Sequence, residues 1–203
     1  MFTEYEIETL ITSDKVKDAT TELKKQFIKA EAPFLEISDA DFFSLIMLTP
    51  TIGVALANGS VSLFEEMALN KKARKLSKGG YFLKKDPVVF AQKFLINKYD
   101  QWEEKFLDVI KRSMDESLDM QSLRKDFDPN QDVDYEEYKR EVLRTPYIFI
   151  RFVASFFMEE DEDIINNTTM SKTDHGRLVE IGEKLGLSDI PVFHYFQKHI
   201  TIK

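Results

Sequence analysis

Apolar residues in this chain recur at three- and four-residue intervals almost throughout, and alternating strand-like patterns are nearly absent. Val16, Leu23 and Phe27, with Ala19 and Thr20 between them, mark one face of a helix that follows the cap candidate Ser13 and ends before Pro33. A second helix is predicted from Ser38, where Asp41 completes a capping pattern; its body is Phe42, Phe43, Leu45, Ile46 and Leu48, before Pro50 interrupts it. Asn58-Gly59 then turns the chain. A third helix runs from Ser62 with Leu63, Met67, Ala73 and Leu76 as its apolar positions and stops near Gly79-Gly80.

Asp86-Pro87 restarts the helical pattern. Phe90, Phe94, Leu95, Tyr99, Trp102, Phe106, Val109 and Ile110 keep helical spacing in a stretch without Gly or Pro until Pro129, which predicts one long helix or two in succession. Further helices are predicted over Tyr135 to Leu143, Pro146 to Met158, Ser171 to Leu185 and after Ser188. The expected fold class is all-α: a helical bundle of packed helix hairpins.

Helix α-starts at Ser62 and Ser171 echo one another. Each Ser is followed three residues on by an acid, Glu65 or Asp174, and then by apolar residues at helical spacing. At this offset of 109 residues Leu69 also meets Leu178, Lys75 meets Lys184 and Leu76 meets Leu185. One helical domain over residues 1–203 is therefore expected, either with related halves at 38–100 and 146–203 around a helical insert, or with the matches arising from helical periodicity alone.

Composition narrows the function classes. With 203 residues, 43% of them hydrophobic, and 17 Phe, the chain can bury a sizeable core without staples. It has no Cys, which excludes disulfides, thiolate metal sites and a thiol nucleophile, and suits a reducing compartment; a cytoplasmic location is the expectation. The N-terminal residues carry neither a basic head nor a long apolar run, so export is not expected. The most apolar run, Phe42 to Ala57, has 16 residues with Pro50 inside it, fewer than the ~20 of a membrane span. A net charge of −8 disfavours nucleic acid.

The segment Asp126-Phe127-Asp128-Pro129-Asn130-Gln131-Asp132-Val133-Asp134-Tyr135-Glu136-Glu137 resembles an EF-hand calcium loop. Asp126, Asp128, Asn130, Asp132 and Asp134 supply oxygens at alternate positions, Glu137 closes the twelfth, and Ca²⁺ or another divalent cation is the ligand such spacing suits. Gln131 stands where the loop normally has Gly, and the alternative is an acidic connector in which Asp134 caps the next helix. Lys71, Lys72, Arg74 and Lys75 open an acid-free basic stretch that extends to Lys85, either a patch for an acidic partner or phosphate groups, or a solvated helix face. Glu159, Glu160 and Asp161 begin an acidic run suited to a basic partner. Arg151, amid aromatic and aliphatic neighbours, is either a buried charge or a rim residue whose stem covers apolar surface.

An Ala-Asp-Gly-x-Val-Ser-x-x-Glu turn with a later helix ending in Leu-Gly-Leu has its counterpart here in Ala57 to Glu65 and Leu185-Gly186-Leu187. On these motifs the chain resembles the helical TerB-like family, associated with tellurite resistance and with some chaperone-linked domains, over about residues 40 to 200, interrupted by an insert from about 100 to 145. The resemblance implies an α-helical bundle, acids near the turns and divalent-metal binding. Asn58 replaces the motif's Asp, Glu65 retains its acid, and the second turn, represented by the acids from Glu159 to Asp163 and by Asp174, lacks the Ala-Asp-Gly core. Capping explains Glu65 and Asp174 as well.

No nucleophile elbow, phosphate loop, His-Glu-x-x-His or Glu-x-x-His occurs, so catalysis is not expected. The expected function is a non-catalytic, stress-related binding protein that holds a divalent cation; the alternative is a metal-independent adaptor or immunity-type protein using its acidic surface. In both a protein partner is expected, with no nucleic acid and no membrane.

Overall fold

Eleven helices are described in the computed structural model, which covers residues 2–79, 86–124, 127–158 and 164–203. The predicted basic residues Lys84 and Lys85, and Asp126, Glu159, Glu160 and Asp161, lie outside the described residues. In chain order the helices are α1 (Glu4–Leu10), α2 (Asp14–Glu31), α3 (Asp39–Ala55), α4 (Leu63–Leu76), α5 (Pro87–Asn97), α6 (Tyr99–Ser117), α7 (Met120–Leu123), α8 (Tyr135–Arg144), α9 (Tyr147–Phe157), α10 (Lys172–Lys184) and α11 (Pro191–His199). A parallel pair of two-residue strands, β1 (Thr169–Met170) and β2 (Thr201–Ile202), is the only sheet among the described residues. The fold class is all-α, and no described helix is long and apolar enough to cross a membrane.

Helix α3 organises the bundle. It is apolar around its whole circumference, with Phe42, Phe43, Leu45, Ile46, Met47, Leu48 and Ile52 fully buried. Such a helix has to be covered on every side, and α1, α2, α4, α5, α6, α9 and α10 all pack against it. This corrects the expectation at Pro50: the helix continues through it to Ala55. A mid-helix proline costs about 3 kcal/mol through its missing N–H and its ring clash, and the surrounding packing outweighs that.

Polar groups on α3 tie the layers together. Ser44 Oγ donates to the Leu76 carbonyl at the end of α4 (2.8 Å), and Thr51 Oγ1 donates to the Phe156 carbonyl at the end of α9 (2.9 Å). Both acceptors lie in last helical turns, where carbonyls lack an intrahelical partner. Helix α1, absent from the sequence reading, is set by a Thr3–Glu6 capping box. It is pinned to α9 by Phe2 N–H donating to Ser155 Oγ (2.8 Å) and by Arg151, whose guanidinium holds Glu6 through Nε (3.0 Å) and Nη2 (2.5 Å). Of the two readings for Arg151, the structure shows a largely enclosed charge with a bidentate partner.

Sidedness also differs on α4. Leu69, Ala73 and Leu76 point inward, whereas Leu63 and Met67, expected on the apolar face, are 70% and 61% exposed. Ser13 precedes α2 as expected, but its hydroxyl donates to Glu116 Oε2 (3.1 Å) rather than capping the helix.

Two consequences are measurable. A Cβ added at Gly53 would lie 2.3 Å from Tyr99 Oη and 2.7 Å from Ile181 Cδ1. Gly53→Ala is expected to cost about 1–3 kcal/mol in urea unfolding, as overpacking of a tight core does. Burial acts to raise the Glu6 pKa, but hydrogen bonds from Arg151 and Thr3 outweigh it and hold the carboxyl below its ordinary 4.5. A depressed folded-state pKa stabilises fully above the unfolded value and is lost as pH falls through the folded one. Glu6→Gln should therefore lower stability by about 1–2 kcal/mol at neutral pH and flatten the decline of Tm on acidification.

Candidate functional site

Two helix starts and two helix ends converge on one open cleft of about 740 Å³. Its floor carries the apolar Val54 and Ala55 from α3, Leu69 from α4, and Phe157 and Met158 from α9, with Thr51 and Lys72 among them. One wall is the side of α4 bearing Glu65, Ala68 and Lys71; the other is residues 167–171, with Asp174 and Lys203 at the rim. Leu63, Phe64 (83%) and Met67 are exposed on the first two turns of α4 and are not among the residues that line the cleft.

The echoed Ser-x-x-acid starts are both here, and both are formed. Ser62 accepts from Glu65 N–H while Glu65 Oε2 accepts from Ser62 N–H (2.7 Å), a complete capping box; Ser171 accepts from Asp174 N–H (3.1 Å). Asn58 Nδ2 donates to Asp174 Oδ1 (3.2 Å), so the two turns touch, although 116 residues separate these partners. Glu65 and Asp174 thus line one cleft, the first with its carboxylate closing a capping box and the second with its carboxylate on Asn58.

Lys72 corrects the view of the basic stretch as one surface. It is 3% exposed, in the floor of the cleft, and its ammonium donates to Thr51 Oγ1 (2.8 Å) and to the Met158 carbonyl (3.3 Å). The same Thr51 serves the end of α9, so a single hydroxyl joins α3, α4 and α9. Lys71, Arg74 and Lys75 are exposed on the other faces of α4. The 3.6-residue period forces that division, since Lys72 falls between the inward positions Leu69, Ala73 and Leu76.

The acidic segment before α8 takes the connector arrangement among its described residues. Asp134 caps α8 by accepting from Glu137 N–H (2.8 Å), and Asp128 Oδ1 accepts from Asn130 N–H (2.9 Å) and Nδ2 (3.3 Å) in a local turn. Gln131, at the position a calcium loop gives to Gly, anchors the segment to α11: its carbonyl accepts from Lys198 Nζ (3.1 Å) and its Oε1 from Tyr195 O–H (3.3 Å). Asp132 and Glu137 are solvent-exposed, and Val133 is buried beneath. Among the described residues no three His, Asp or Glu side chains gather where they could hold a metal ion.

A second polar cluster escaped the sequence reading. Glu103 on α6, its side chain 8% exposed, accepts from Arg177 Nη2 (2.9 Å) and Lys184 Nζ (2.8 Å) of α10, and Glu180 pairs with both bases. Tyr99 O–H donates to the Thr49 carbonyl (3.0 Å) beside it. Burial, then the Glu103 charge, push the Tyr99 phenol up; for Arg177 burial acts downward, but Glu180 and Glu103 raise it. Only spacing along α10 hinted at this, since Arg177, Glu180 and Lys184 share one helix face. The cluster fastens α6 to α10 with its charges matched.

No family model, curated protein or solved structure matches this chain.

Glu103→Ala would leave Arg177 and Lys184 without their shared carboxylate. It should cost about 2–4 kcal/mol in thermal or urea unfolding, near the lower end for one-sided loss of a buried pair because Lys184 keeps 34% of its side-chain exposure. Replacing all three residues by Met should recover most of that loss.

Proposed function

We propose that this protein is a non-catalytic interaction module whose cleft between α4 and the 167–171 segment receives part of a partner protein. The observation that carries this reading is an open cleft where the two echoed helix starts meet, with Val54, Ala55, Leu69, Phe157 and Met158 in its lining. A concave site with apolar side chains and a few polar groups in its lining is the usual form of a binding site. Glu65, Lys72 and Asp174 at the cleft are engaged in capping, in anchoring α9 and in bridging the turns, which supports binding rather than bond-making.

The contact of the two echoed turns supports the TerB-like resemblance as a reading of the architecture, with the cleft as the place where the halves meet. The cation-dependent form of that reading has less support, because Asp128 and Asp134 turn an oxygen to local hydrogen bonds and no three described acids gather around one centre. The overall charge of −8 favours a partner with a basic face around the cleft-bound part.

Ala68 is exposed on the cleft wall, so Ala68→Arg should fill the cleft without lowering Tm. In affinity capture from the native source, a partner held by the wild type should be lost by Ala68→Arg and kept by a remote control, Glu22→Arg, with Ca²⁺ or with chelator. Equal capture by Ala68→Arg would refute the cleft reading. Loss of capture in chelator, with saturable Ca²⁺ binding by calorimetry, would transfer the function to the cation-binding alternative.

A further inference from the structure

We propose that β1 is the docking edge of the cleft, and that the partner enters as an extended segment added to β1 as a third strand. This rests on the interaction reading above and specifies its mode.

The register of the small sheet is the first ground. Thr201 N–H donates to the Thr168 carbonyl (2.9 Å) and Lys203 N–H to the Met170 carbonyl (3.0 Å), with Thr169 opposite Thr201. Successive residues of a strand direct their backbone polar groups to opposite sides. Thr169, between those two acceptors, therefore turns its own N–H and C=O away from β2, and among the described residues neither group has a hydrogen-bond partner. Thr169 is exposed and lies in the cleft wall.

The character of that edge is the second ground. Proteins blunt edge strands that must not pair with Lys, Pro, bulges or covering loops. Residues 166–171, Asn-Asn-Thr-Thr-Met-Ser, contain no charge and no proline. The third ground is the cleft itself. Its ~740 Å³ lies within the size range of sites that enclose a compact ligand. Val54, Ala55, Leu69, Phe157 and Met158 in its floor can take the apolar side of a strand whose side chains alternate. A partner helix fits the edge poorly, because its backbone N–H and C=O groups are already paired within the helix. The occupant is thus an extended peptide with apolar residues at every second position.

Peptides selected from an immobilised random library by the wild-type protein should show that alternation. Their affinity, read by fluorescence polarisation, should fall about tenfold on Thr169→Pro, which removes one N–H that β2 does not use, and by a similar factor on N-methylation at alternate peptide amides only. Should Thr169→Pro lower Tm, amide exchange by NMR replaces it: bound peptide should slow exchange at Thr169 about tenfold or more. Strand addition is overturned if the selected peptides repeat at helical spacing, or if neither N-methylation nor Thr169 exchange responds. It is overturned equally if the wild type selects nothing that the Ala68→Arg protein does not. Sensitivity to Ala68→Arg without those backbone effects would retain the cleft as the binding place while rejecting the strand, which separates the two claims.

Discussion

Everything in this fold follows from the need to cover α3. A helix apolar on all sides has no stable place at a surface, so the chain wraps other helices around it until none of its core residues meets water. That demand explains why α2, α4, α6, α9 and α10, drawn from most of the chain, share one central neighbour. It also explains how Pro50 is accommodated in mid-helix, since the packing around α3 far exceeds the loss of one backbone hydrogen bond.

Enclosing α3 buries polar groups of its neighbours and of its own middle, and three hydroxyls pair with them. Ser44 serves the end of α4, Thr51 the end of α9, and Tyr99 the carbonyl of Thr49. Buried donors and acceptors are tolerated only when paired, so the Ser44 and Thr51 contacts each satisfy a helix terminus, and all three fix a neighbour's position. Lys72 extends the same logic to a charge: its ammonium reaches Thr51 and the carbonyl of Met158 from the interior face of α4. Glu103 does so between α6 and α10. In both cases a buried ionic group marks where two helices must meet in one arrangement rather than slide past each other, a specifying role that apolar contacts alone fulfil less sharply.

The acids divide by what their backbone surroundings offer. Asp134, Glu65 and Asp174 stand three residues from a helix start or at one, and the N–H groups of the first helical turn lack other partners. An acid in that position has a strong local acceptor role. Alternating oxygens in the 126–137 segment match a calcium loop in sequence, yet Gln131 ties the middle of the segment to α11 through Tyr195 and Lys198. Gly at that position would leave the loop free to curl around a centre; Gln there gives it a reason to lie flat on a helix.

What the sequence determined by itself was local. Helical period located α2, α3, α4, α8, α9, α10 and α11, and the starts at Ser38, Ser62, Asp86, Asp134 and Ser171 formed the caps their spacing predicted, because period and cap involve residues within one or two turns. For α1 the only local signal is the Thr3–Glu6 capping box, since its seven residues are too few to show a longer apolar period. Tertiary structure alone decided which face of α4 turned inward, burying Lys72 and exposing Leu63 and Met67. It also decided that Glu103 would meet Arg177 and Lys184, that Asn58 would reach Asp174, and that residues 169–170 would pair with 201–202 to leave an open edge. Each of these joins groups far apart in the chain, and their meeting is set by how whole helices pack around α3, information that no window of neighbouring residues contains.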